Sequence, residues 1–167
     1  DTMDGLGGGA DYSEKLKIMN DSHVGTFGVL AITLSIIAKI GAISAMPSST
    51  FVAFALITAG SISRCVLPLA TIVFPLAREE GLAVLSGHSS FRTVLMSLVL
   101  GFLIALSFFD LVTCFLLILF SCGVGLGFMA FACHKIGGYT GDVLGACQQV
   151  SEVCVLILVS SILKWHP

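Results

Sequence analysis

The chain has 167 residues; 56% are hydrophobic, only 11% are charged, and the mean hydropathy is +1.04. A soluble domain carries about 25% charged residues, so this chain has too little polar surface to cover a water-soluble fold. Its net charge of −2 gives no argument for a nucleic-acid-binding surface or a polybasic lipid-binding arm.

The opening stretch, Asp1-Thr-Met-Asp-Gly-Leu-Gly-Gly-Gly-Ala10, is the densest polar cluster in the chain. It begins without an initiator Met and in the middle of a motif, so the chain reads as a fragment that lacks an N-terminal part. Asp1 and Asp4 lie three apart and would project from one side of a helical turn. Two converging carboxylates suit Mg2+ or Mn2+. Gly5, Gly7, Gly8 and Gly9 would let backbone N–H groups approach a phosphate or pyrophosphate. A metal beside a phosphate cradle is the equipment of phosphoryl transfer. A solvated linker is the plainer reading of the same residues. The string Gly5-Leu-Gly-Gly-Gly-Ala10 also matches a dinucleotide fingerprint, but no strand precedes it, and no Gly-Lys-Ser/Thr follows to make a P-loop.

Residues 1–23 hold Asp1, Asp4, Asp11, Glu14 and Asp21 and read as an acidic, Gly-rich surface loop. Within it, Ser13–Met19 predicts a short amphipathic helix with Ser13 as its N-cap. Five apolar stretches follow, each near the roughly 20 residues that a spanning helix needs. They are 24–45, 51–74, 93–109, 111–133 and 143–163. Polar connections separate them at 46–50, 78–90, Asp110 and 134–142. The expected fold is an all-α integral membrane protein, one domain over 1–167 with about five transmembrane helices. With five spans, 1–23, 77–92 and 134–142 share one side. Lys15, Lys17, Arg78, Arg92 and Lys135 lie there, against Lys164 alone on the other, which marks the first side as cytoplasmic. Parity alone then puts the opening cluster and Gly137-Gly-Tyr-Thr-Gly-Asp142 on one face.

The six cysteines, Cys65, Cys114, Cys122, Cys133, Cys147 and Cys154, show no CxxC spacing and read as apolar packing residues. Charges inside spans are more informative, because they are costly in lipid. Arg64 and Glu152 sit near the middle of their spans and are expected to face the interior. They either pair with each other or line a polar cavity in which Arg64 meets a phosphate or carboxylate. Asp142, Gly145, Gln149 and Glu152 fall on one face of the last helix, a polar stripe leading into the membrane. Lys39 reads as a snorkelling residue. Asp142 is either a plain helix N-cap or, with Gly137, Gly138, Thr140 and Gly141, part of an anion site at a helix start. His23, His88 and His134 read as surface residues. Ser22 and Ser90 have no identifiable base partner, so serine nucleophilic catalysis is unsupported.

Asp1-Thr-Met-Asp-Gly-Leu-Gly-Gly-Gly, Ile18-Met-Asn-Asp-Ser-His-Val-Gly-Thr-Phe-Gly28 and Ile136-Gly-Gly-Tyr-Thr-Gly-Asp-Val-Leu-Gly-Ala146, with Gln148, Gln149 and Glu152, resemble the cobalamin synthase family, the adenosylcobinamide-GDP ribazoletransferases. Ser63-Arg64 and Pro75-Leu-Ala-Arg78 also resemble its pattern. The resemblance covers nearly the whole chain. It implies an Mg2+-dependent enzyme of the bacterial cytoplasmic (inner) membrane, with its active site facing the cytoplasm. The reaction implied joins α-ribazole or its 5′-phosphate to adenosylcobinamide-GDP and releases GMP. The lipid bilayer is its surroundings, nucleic acid is not a partner, and an oligomer or other cobalamin-pathway proteins could accompany it. Asp1 and Asp4 are the implied metal ligands, Asp4, Asp21 and Asp142 the acidic catalytic residues, and Arg64 and Lys135 the phosphate-binding charges. The glycines of both clusters, Thr140, Gln149 and Glu152 would complete the substrate site. The family usually carries an upstream segment with another Asp-Gly element and further helices. It often has Lys-Asp-Ser-Arg where this chain has Asn20-Asp21-Ser22-His23, which puts phosphate binding at 20 and 23 in doubt. Two other readings compete: a small transporter built on a midplane Arg64/Glu152 site, and a non-catalytic membrane subunit.

Overall fold

The computed structural model describes residues 1–77 and 89–162. The expected polar connection over 78–90 falls largely outside them, as do Arg78, His88 and Lys164, which entered the charge asymmetry. Seven helices run through the described residues: α1 Thr2–Gly8, α2 Tyr12–Asn20, α3 Thr26–Ser44, α4 Ser49–Val73, α5 Phe91–Leu106, α6 Leu111–Ile136 and α7 Gly141–Ile162. Among these residues the β structure is one isolated bridge, Leu76 to Tyr139.

Helices α3, α4, α6 and α7 are long and apolar enough to cross a membrane. The shorter α5, with 16 residues, is apolar as well. The expected helical membrane architecture is therefore present, with ends shifted by at most three residues. The third span stops at Leu106 because Ser107, Phe108 and Phe109 fold back on the carbonyls of Leu103, Ile104 and Ala105. Most helix starts are capped as their sequences allow. Ser48 accepts from the Phe51 N–H, Ser90 from that of Thr93, and Asp110 from that of Thr113.

The opening 23 residues are not a loop. They form two helices folded against the bundle. The cap of α2 is Asp11 rather than Ser13: Asp11 accepts from the Glu14 N–H at 2.8 Å, and the Ser13 hydroxyl donates to it as well. Glu14 reaches back to the Ala10 N–H at 2.7 Å, a reciprocal arrangement close to a capping box.

Two hydrophobic cores stack along the bundle. One joins Met19 of α2 to Val66, Met129, Ile136, Tyr139 and Val143, so the short helices are built onto the spans. The other, towards the opposite end, gathers Ala55, Ala59, Ile62, Leu117 and Leu156. Aromatic pairs close that end, Phe54 stacking on Phe108 with ring centroids 4.6 Å apart and Phe51 meeting Phe109 edge-on at 5.7 Å. Between the cores α4, α6 and α7 touch through small residues, as lipid-embedded helices do when backbones approach closely. A Cβ on Gly125 would lie 2.6 Å from Val66 Cγ1 and 2.9 Å from Ser151 Oγ.

The two Gly-rich clusters do share a face. The chain after α4 pairs with the α6–α7 turn: Tyr139 donates its N–H to the Pro75 carbonyl and Ala77 donates to the Tyr139 carbonyl, both at 2.9 Å. Gly138 makes this possible, since a Cβ there would sit 2.6 Å from backbone atoms of Leu76 and Ala77. Gly137 ends α6 at φ 81°, in the left-handed region that glycine tolerates.

Gly125→Ala is expected to cost about 1–3 kcal/mol by overpacking α6 against α4 and α7. Thermal unfolding in detergent should show the loss, and an unchanged midpoint would mean the three-helix contact is looser than described.

Candidate functional site

Asp4 shows how the site is assembled. Its carboxylate is 7% exposed and leaves α1 to cap the start of α3. Oδ2 accepts from the Gly25 N–H at 2.9 Å and Oδ1 from the Gly28 N–H at 2.8 Å. The N-cap residue of α3, Gly25, has no capping side chain of its own, so Asp4 supplies one from another helix. Gly25 and Gly28 must be glycines for this, because a Cβ on either would run into the carboxylate. The Gly28 N–H, then that of Gly25, holds the Asp4 acid below its ordinary 3.8 against the opposing effect of burial. The depressed value means that the clip contributes stability above the unfolded-state pKa. That contribution is lost as pH falls through the lower folded value.

The glycines of α1 do not form an open cradle. Gly5 turns its N–H onto the Asp1 carbonyl at 2.9 Å. Its missing side chain makes room for Met19, that of Gly7 for the Phe27 ring, and that of Gly9 for the Lys15 backbone. Gly8 faces Ile18. The glycines let α1 lie close against α2 and the start of α3.

Between α1, α3 and α7 lies a cavity of about 620 Å³. Asp1 and Thr2 line it from α1, and Gly28, Ala31, Ile32 and Ser35 from one face of α3. The α7 wall carries the expected stripe, Asp142, Gly145 and Gln149, interleaved with apolar residues such as Ala146 and Val150. Asp142 is exposed and is not the cap of α7. Thr140 takes that role, accepting from the Val143 N–H at 3.4 Å, which leaves Asp142 to face the cavity. Gly141 lines the cavity at the first turn.

Below the cavity the spans are joined by a polar network. Lys39 Nζ donates to Glu152 at 2.7 Å and to Gln149 Oε1 at 3.0 Å. Gln148 donates to Glu152 and, at 3.4 Å, to Ser63 of α4. Lys39 stands 13 residues into α3 and Glu152 11 residues into α7, so both lie about 17–20 Å from the same face. The expected Arg64–Glu152 pairing is therefore wrong, and Lys39 does not snorkel. Arg64 lies on the exposed side of α4 and donates to its own Gly60 carbonyl at 2.6 Å. This removes the basis of a transport site built on Arg64 and Glu152.

The four carboxylates do not converge. Asp1 and Asp142 line one cavity, Asp4 is taken up by α3, and Asp21 is paired outside with His23, Oδ1 to Nδ1 at 2.7 Å. That contact holds the Asp21 acid low and the His23 imidazole high. Lys135 is exposed in the last turn of α6. Among the described residues no group of three or more His, Cys, Asp or Glu side chains is placed to hold a metal. The sequence reading missed Thr2, Lys39, Gln148 and Ser35. The spacing of Gly28, Ala31, Ser35 and Lys39, on one face of an otherwise apolar helix, was the available signal.

The fold and cavity define a polytopic helical membrane protein with an acid-rimmed pocket at one end of its bundle. A model of the cobalamin-5-phosphate synthase family matches residues 1–160, and the chain belongs to that family. Proteins named adenosylcobinamide-GDP ribazoletransferase are similar along most of the chain. That of Mesorhizobium japonicum is 38% identical over 96% of this chain and 61% of its own length. That of Bradyrhizobium diazoefficiens is 36% identical over 96% and 62%, and that of Shewanella halifaxensis 37% over 99% and 66%. The chain thus spans roughly 61–66% of the length of these relatives. No solved structure matches it.

Asp4→Asn places an amide N–H against a backbone N–H and is expected to destabilise the protein by about 1–3 kcal/mol. Acid titration of wild-type stability should show the Asp4 contribution vanishing only below pH 3.8. Lys39→Met should cost about 2–4 kcal/mol by leaving Glu152 without its cation, and Lys39→Met/Glu152→Met should recover most of it. A double variant as unstable as the single one would show that the pair does not hold α3 to α7.

Proposed function

We propose that the chain carries the transfer site of an adenosylcobinamide-GDP ribazoletransferase, at the cytoplasmic face of the bacterial inner membrane. The observation that carries this reading is the meeting of Asp1 and Asp142, from opposite ends of the chain, at one cavity. In the reaction a ribose hydroxyl oxygen of α-ribazole, or of its 5′-phosphate, bonds to the phosphorus attached to cobinamide. The bond from that phosphorus to the GMP oxygen breaks, and GMP leaves with the electron pair. A carboxylate at the rim takes the hydroxyl proton, and Asp142, exposed and free of any capping role, is suited to it.

Mg2+ is commonly held by one or two carboxylates completed by substrate phosphates, and Asp1, the other acid of the rim, would hold it in that mode while Asp142 takes the proton. The ion would offset phosphate charge as GMP departs. Asp4 fits a metal poorly, because both of its oxygens are engaged by the α3 amides. Its role here is to seat α1 so that Asp1 reaches the rim.

The test uses membranes containing the full-length protein, supplied with adenosylcobinamide-GDP and α-ribazole. GMP release should require Mg2+ and fall about 100-fold or more in Asp142→Asn, with thermal stability retained. Folded wild-type protein that releases no GMP under these conditions would remove the transferase reading. Full activity in Asp142→Asn would move the proton acceptor elsewhere.

A further inference from the structure

Two substrates of very different character must meet in this reaction. One carries a corrinoid and a charged diphosphate; the other is a nucleoside with an apolar bicyclic base. Resting on the transferase reading, we infer that the cavity between α1, α3 and α7 is the subsite for the nucleoside, its base directed down between the spans.

Charge is the first argument. Among the described residues no lysine or arginine lines the cavity, and the charged ones that do are Asp1 and Asp142. Lys39, the cation nearest the lower end, is neutralised by Glu152. Below the rim, a diphosphate would find no cation among the described side chains of the lining, whereas ribose hydroxyls are donors that an acidic rim accepts. Size agrees: about 620 Å³ falls within the range of small-ligand pockets, roughly 300–1,000 Å³, while a corrinoid nucleotide is far bulkier than a nucleoside.

The hydrogen-bonding groups match a benzimidazole-type base, which is apolar except for one acceptor nitrogen. Ala31, Ile32, Phe128 and Val150 supply apolar walls. Gln149 accepts from Lys39 through Oε1 and donates one Nε2 hydrogen to Gln148 at 3.3 Å, so its second N–H remains to be given.

The experiment varies both substrates with the full-length enzyme in membranes, comparing wild type, Ala146→Phe, which fills the cavity, and Gln149→Met, which removes the amide donor. Ala146→Phe should raise KM for α-ribazole about tenfold or more and leave KM for adenosylcobinamide-GDP within about twofold. A nucleoside with C–H in place of the acceptor nitrogen should be about tenfold poorer for wild type and no poorer for Gln149→Met, a pattern that mere loosening of α7 would not produce. A rise confined to the corrinoid substrate, an equal rise for both, or no change in either overturns the assignment. The last result would fit a lipid chain in the cavity. Equilibrium dialysis of α-ribazole alone separates the two readings if wild type releases no GMP. Binding that Ala146→Phe abolishes supports the subsite, and binding absent from wild type or indifferent to Ala146→Phe overturns it.

Discussion

The Asp4 carboxylate, held between the Gly25 and Gly28 amides, is the contact on which the rest of the site depends. A helix start is electropositive and would attract an anion from solution. Here the protein fills that position with its own side chain. The consequence is geometric: α1 is locked across the beginning of α3, and Asp1, one turn earlier, is left at the cavity rim. Gly5, Gly7 and Gly9 serve the same end by letting the short helices close on each other without side chains between them.

Deeper in the bundle the governing constraint is the poor tolerance of lipid for unpaired polar groups. Helix α3 packs chiefly on α7 and α1, and much of its apolar surface is open. What ties its middle to α7 is the Lys39 ammonium, shared between Gln149 and Glu152. Gln148 extends the link to Ser63, so one network joins three spans at one depth. The cavity occupies the space between this lower tie and the upper clip at Asp4.

Much of the architecture was legible in the sequence because span length and hydropathy are local properties. Parity brought the two glycine clusters to one face, and the cavity lined by Asp1 and Thr2 from one and Gly141 and Asp142 from the other is the physical form of that inference. The stripe on α7 was legible too, since helical spacing alone puts Asp142, Gly145 and Gln149 on one side. What spacing does not carry is the identity of the neighbour. Glu152 had two buried-span cations to choose from, and the rotation of α4 turned Arg64 outward and left Lys39 as the partner. Asp4 reads the same way on paper whether it holds a metal or a helix end. Only the approach of Gly25 and Gly28 decides between them, and they lie 21 and 24 residues away.

Helix α1 has seven residues, three of them glycine. Glycine weakens a helix, so the shape of this segment rests on its contacts with α2, α3 and Phe27. The two acids at the cavity thus differ in kind: Asp142 rides on a 22-residue span, while Asp1 is placed by a coupled set of contacts that must all form together.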